Sequence, residues 1–201
     1  MKLLISIFKI LFVLAIIYLI AALLGKSSYR VERESVINAP QKLVYNQISI
    51  FRNWEKWSPW AEKDPTVKNT YEGPDGEAGA IMNWTGDKDI SGTGSIKVEA
   101  SNPPNGFNYV LNFKVPFEMQ SRGGFMLSAA SDEKTKIIWH DQGDIAFIFR
   151  PMMMFMDMDK QMGPDFERGL FKIDSVCAGI YSEMKKVMLQ DTLQKEMPNL
   201  Q

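Results

Sequence analysis

The sequence predicts an α+β protein: an antiparallel sheet of about seven strands, two short helices near its start, a long C-terminal helix, and one apolar helix in front of everything. Three observations carry this. Residues 66–144 form short apolar runs separated by turn-forming clusters. Residues 166–188 show a helical period, and Leu3 to Leu24 is almost unbroken apolar sequence. At 201 residues the chain suits one globular domain plus an appendage.

Within Leu3 to Leu24 only Ser6, Lys9 and Tyr18 carry polar atoms. A helix of that length spans about 33 Å, enough to cross a bilayer. Lys9 lies close enough to the start to snorkel toward the headgroups. A secretory signal would want a shorter apolar run and an A-x-A-like cleavage site, which "LIAALLGKSS" matches poorly, so an uncleaved single-pass anchor at 3–24 is expected. Lys2 and Lys9 on one flank and Lys26, Arg30 and Arg33 on the other leave the orientation open.

"YRVERESVIN" alternates as a first strand, with Val31, Arg33, Ser35 and Ile37 on one side. "NAPQKLVYNQISIF" starts a helix, with Pro40 expected at the first helical position and Leu43, Val44, Ile48 and Phe51 on its apolar face. "NWEKWSPWAEKDP" then sets Trp54, Trp57 and Trp60 three residues apart, on one side of a short turn limited by Pro59. The strands "KNTYEG", "AIMNWTG", "GSIKVEA", "FNYVLNF", "GGFMLSAA" and "KIIWHDQGD" follow. The clearest is "FNYVLNF", which places Phe107, Tyr109, Leu111 and Phe113 on one face. After Gly163-Pro164 the long helix carries Phe166, Leu170, Ile173, Cys177 and Ile180 at helical spacing. The expected divisions are an anchor at 3–24, a folded domain at 29–188 and a polar tail at 189–201.

Composition excludes several function classes. The net charge is −1, and −3 once Lys2 and Lys9 of the anchor are set aside, so without a basic surplus nucleic-acid binding loses its main source of affinity. The single cysteine, Cys177, rules out an internal disulfide framework and multi-cysteine metal clusters, and its apolar neighbours read it as a buried thiol. Neither "DMDK" nor "GDKD" reproduces a calcium loop, and no metal or cofactor is expected. Six of the thirteen methionines fall between Met152 and Met162. On one helix Met154, Met158 and Met162 would share a face, but without a nearby cysteine or histidine they do not complete a copper site. The segment suits plain packing, a deformable lid or a protein-contact surface centred on Met152, Met153, Met154 and Met156.

The order of elements, together with "VINAPQKLVYNQISIFRNWEKWSPW" and "GPDFERGLFKI", resembles the START/polyketide-cyclase (SRPBCC) superfamily, in its polyketide cyclase/dehydrase and lipid-transport group. The resemblance covers roughly residues 29–187. It implies a helix-grip fold, in which the sheet wraps around the C-terminal helix and leaves a hydrophobic cavity between them. It also implies a cavity wall built from Trp54, Trp57, Trp60, Trp84, Phe107, Tyr109, Leu111, Phe113, Phe125, Trp139, Met154, Phe166 and Leu170. For the three clustered tryptophans ordinary core packing is the competing reading.

Chemistry is harder to locate. The chain has one histidine, His140, and no Ser-His-Asp constellation. His140 and Trp139 point to opposite faces of their strand, so only one can line a cavity. Tyr109, Arg122, His140 and Asp141 are the candidate acid or base groups, and their spacing does not bring them around one substrate. The expected function is therefore a membrane-anchored binding protein for a lipid or other hydrophobic small molecule, without catalysis. A cyclase or dehydrase acting in the same cavity and a protein-interaction module are the alternatives.

Overall fold

A computed structural model describes residues 2–196, with side-chain surroundings for 3–194. Helix α1 (Lys2–Leu24) is long and apolar enough to span a membrane and none of its apolar window is buried against the rest of the chain. Strand β1 (Ser28–Ile37) follows directly. Its inward positions are the odd-numbered ones, from Tyr29 through the fully buried Val31 and Ile37.

Helix α2 (Gln41–Ser49) begins one residue later than its proline suggests: Pro40 is the N-cap, extended at φ −61 and ψ 147, and its carbonyl accepts from the amides of Leu43 and Val44. The other end is closed by the tryptophan stretch. Asn53 Nδ2 donates to the carbonyl of Asn46 (3.1 Å), Trp57 Nε1 to Gln47 (3.1 Å) and Trp54 Nε1 to Ile48 (2.7 Å). A helix leaves its last four carbonyls without partners, and here side chains from the next turn satisfy three of them. That turn is a 3-10 segment, Phe51–Lys56, followed by helix α3 (Pro59–Lys63) with its proline in the first turn.

Six further strands complete one sheet: β2 (Lys68–Glu72), β3 (Ile81–Thr85), β4 (Thr93–Asn102), β5 (Gly106–Val115), β6 (Met119–Ser131) and β7 (Lys134–Asp144). All pairs are antiparallel, and the order is β1-β7-β6-β5-β4-β3-β2. The sheet is a curved, open meander from β2 to β7, with β1 added at its far edge.

Beyond β7 a 3-10 turn (Phe147–Phe149) and the single-turn helix α4 (Arg150–Met153) precede α5 (Met158–Glu196). The chain breaks between α4 and α5, where the Asp157 carboxylate accepts the amide of Asp159 as a helix cap. Met154 therefore does not share a helix face with Met158 and Met162, as a continuous period would require. Helix α5 also starts before Gly163-Pro164 and continues past residue 188 to Glu196. After Gly179 it meets no glycine or proline until Pro198. Of the tail expected at 189–201, residues 197–201 lie outside the described residues.

Helix α5 packs along β1 and against α2 and α3. Ion pairs fix its first turns on both sides of Pro164: Arg33 bridges Asp159 and Glu167, both at 2.7 Å, and Lys63 pairs with Asp165 at 2.5 Å. The core lies between sheet and helices, with Trp57, Trp139, Phe51, Phe125 and Phe166 its largest fully buried side chains.

Candidate functional site

Between the concave sheet face, the short helices and the start of α5 lies a largely apolar cavity of about 240 Å³. The sheet supplies Met82, Trp84, Ile96, Tyr109, Leu111, Phe113 and Trp139; Trp54 and Trp60 close one end, and Met162 and Phe166 cover the top. Of the residues expected at the wall, Trp54, Trp60, Trp84, Tyr109, Leu111, Phe113, Trp139 and Phe166 face this space. Trp57, Phe107, Phe125 and Leu170 stand behind it in the closed core, because each sits where sheet and helices already touch. Met154 lies in the break before α5 and is exposed.

The aromatic wall is one connected stack. Trp139 is its hub, within 4.2 Å of Phe166, 4.9 Å of Phe125, 5.8 Å of Trp57 and 5.9 Å of Trp60, centroid to centroid. The contacts with Trp57 and Trp60 are edge-on, and those with Phe125 and Phe166 are stacked.

One polar patch interrupts this wall, and it is built by register. Val31, Asp141, Gly123 and Tyr109 form one row across β1, β7, β6 and β5, and Tyr29, Gly143 and Ser121 lie in the next. The two glycines make room: a Cβ on Gly123 would come within 2.5 Å of the Tyr109 ring, and one on Gly143 within 2.8 Å of the Tyr29 ring. Both rings can lie over the sheet and aim their hydroxyls at Asp141. Tyr29 donates to Asp141 Oδ1 at 3.1 Å and Ser121 Oγ to Oδ2 at 3.0 Å. Tyr109 accepts the Trp139 indole N–H at 3.0 Å and is the third hydroxyl partner of the carboxyl.

Asp141 is only 1% exposed, and burial outweighs its three hydroxyl partners, pushing the carboxyl up to about 7. Burial and the neighbouring carboxylate raise the phenols of Tyr109 and Tyr29 as well, so both stay neutral. Among the described residues, the lining includes Asp141, Glu55 and Asp165 but no lysine, arginine or histidine. Glu55 is exposed and accepts from the Tyr71 hydroxyl, and Asp165 pairs with Lys63, which leaves Asp141 as the one buried carboxyl among the described lining residues.

Of the four candidate acid or base groups, the fold brings Tyr109 and Asp141 together. His140 and Arg122 are on the other side of the sheet. Burial and the charge of Arg30 lower the His140 imidazole from its ordinary value, and Arg122 is exposed beside Glu99. Alternation within β7 already places Asp141 on the Trp139 face. Tyr29 and Ser121 carry no such signal, because they reach Asp141 only through the pairing of β1 and β6 with β7.

Fold and cavity together define a helix-grip protein. Solved structures of similar shape include a protein from Mesorhizobium loti (17% identity, 73% of this chain and 95% of that one, TM-score 0.54). An aromatase/cyclase from a Streptomyces species matches at 13% identity over 75% and 94%, TM-score 0.53. A norcoclaurine synthase from Thalictrum flavum, solved with a transition-state analogue, matches at 11% over 76% and 95%, TM-score 0.57. At such identities the likeness is one of fold. No protein-family model and no curated protein matches the chain.

Proposed function

We propose that this is a membrane-anchored member of the START/polyketide-cyclase superfamily that holds a hydrophobic small molecule in its cavity, with the polar end of the guest against Asp141. The observation that supports this is a buried carboxyl, ringed by hydroxyls, in a largely apolar wall rich in aromatic rings. The absence of any cationic side chain from the lining argues against an anionic head such as a fatty-acid carboxylate. A neutral hydroxyl or an ammonium group suits the site, because Asp141 accepts from either. Anchoring through α1 places the site beside a supply of such molecules.

Calorimetric titration with dodecanol, dodecylamine and dodecanoate, each kept below its solubility or micellar limit, tests this reading. The alcohol and the amine are expected to bind at least about tenfold more tightly than the acid, a difference of about 1.4 kcal/mol. Equal binding of the acid would overturn the head-group assignment. Failure of all three, with no hydrophobic passenger in mass spectra of protein purified gently from its own membrane, would overturn the binding reading.

The Tyr109–Asp141 pair supports a second reading, a cyclase or dehydrase. A carboxyl near 7 can give or take a proton at neutral pH, and Tyr109 is a neutral donor beside it. Turnover of a bound polyketide-like substrate that survives both Asp141→Asn and Tyr109→Phe would exclude that chemistry.

A further inference from the structure

Outside α1 the described surface carries an apolar region that adjoins α1 itself. Between Ile145 and Met156 the sequence has a single charge, Arg150. Phe147, Ile148, Phe149, Met152 and Phe155 are all exposed there, Phe155 at 92%. The β5–β6 hairpin adds Phe117, 70% exposed, whose ring lies 6.4 Å from Phe149. A monomer in water leaves such a patch uncovered only at a cost, so the patch marks a contact surface.

Its position relative to α1 says what covers it. The Tyr18 hydroxyl donates to the carbonyl of Ile148, and the backbone of Gly25 lies against Arg150. Tyr18 is six residues before Leu24, so Ile148 sits about 9 Å inside the end of α1. If α1 crosses a bilayer, residues 147–155 are at the depth where interfacial segments bury their apolar side chains, about 5–10 Å below the headgroups. The same strip leads back to the cavity. Met119, an exposed lining residue, pairs with Phe113 across the β5–β6 ladder and lies two residues from Phe117.

We propose that the Phe117 hairpin and residues 147–155 lie in the headgroup–acyl boundary of the bilayer beside α1, so that the cavity rim at Met119 opens toward lipid and the guest enters from the membrane. This rests on α1 as an anchor and on the cavity as a binding site. It assigns the Met-rich segment to lipid contact.

The test uses the full chain in phosphatidylcholine vesicles, with buried Cys177 left in place and nitroxides attached at Phe117→Cys, Phe149→Cys or Phe155→Cys. Labels at Phe12→Cys and Asp132→Cys report the bilayer centre and bulk water. Power saturation is expected to show the first three accessible to oxygen and shielded from a water-soluble nickel chelate. Labels at 117 and 155 open to nickel, with position 12 still shielded, would overturn the proposal and leave the anchor standing. Exposure of position 12 to nickel would remove the anchor and the proposal together. Labels immobilised and shielded from both reagents would mean a protein partner, which also overturns it. For the route of entry, Phe117→Asp combined with Phe155→Asp is expected to slow loading of dodecanol from vesicles at least tenfold, while equilibrium affinity for dodecanol added from solution stays unchanged. Unchanged loading from vesicles would show that the guest arrives through water.

Discussion

The indole of Trp139 lies flat on the ring of Phe166, with centroids 4.2 Å apart and planes 5° from parallel. That contact joins the middle of β7 to the first turns of α5. Both rings are fully buried, and both face the cavity. Replacing Phe166 by alanine is expected to destabilise the domain by about 3–5 kcal/mol and to enlarge the cavity. Urea unfolding measures the first effect, and a crystal structure of the variant shows whether neighbouring side chains collapse into the space.

Asp141 sets a pH dependence whose sign follows from its burial. Its carboxyl ionises near 3.8 in an unfolded chain and near 7 in the folded one. Between those values the native state holds a proton that the unfolded state has released, so stability falls as pH rises through this window. The loss is on the order of 4 kcal/mol at neutral pH. Asp141→Asn is expected to remove that slope, so the variant should gain on the wild type from pH 4 to pH 7 in chemical denaturation. Parallel curves would mean that the carboxyl is not desolvated.

Gly123 is the floor on which Tyr109 rests. Gly123→Ala is expected to cost about 1–3 kcal/mol through overpacking. In a background of Tyr109→Ala the same change should cost less, because the ring is gone, while the part set by the His140 carbonyl, also 2.5 Å from that Cβ, stays. A double-mutant cycle reads this coupling, and additive effects would show that the two residues do not compete for space.

The Arg33 bridge makes a regional prediction. Its carboxylate partners are more than half exposed, so Arg33→Ala should lower global stability by under about 1 kcal/mol. Asp159 and Glu167 flank Pro164, which cannot donate its own hydrogen bond to the helix. Amide exchange in residues 158–165 is expected to rise while the rest of α5 keeps its protection.

Much of the fold is readable from periodicity. Alternation located the strands because an antiparallel sheet with one buried face repeats every two residues, as Phe107 and Tyr109 show. Applied to β7, the same rule also puts Asp141 on the face of Trp139, although the expected wall holds only Trp139 of the two. It could not bring Tyr29 and Ser121 to Asp141, since that depends on which row of one strand meets which row of another. Nor could it separate Trp57, Phe107, Phe125 and Leu170 from the true lining, because both groups are inward-facing and apolar. Met154 was misplaced for a different reason: the helical period hides a break when a cap such as Asp157 restarts it.

The capping of α2 by its neighbours makes three tryptophans three different kinds of residue. At positions 54 and 57 the indole N–H holds a carbonyl that would otherwise be orphaned, so phenylalanine there would keep the ring and lose the bond. Trp60 caps nothing in α2. Trp54 alone is both cap and cavity wall. A guest that pressed on its ring would pull on the end of a helix, and amide exchange in α2, at residues the guest never touches, would register its presence.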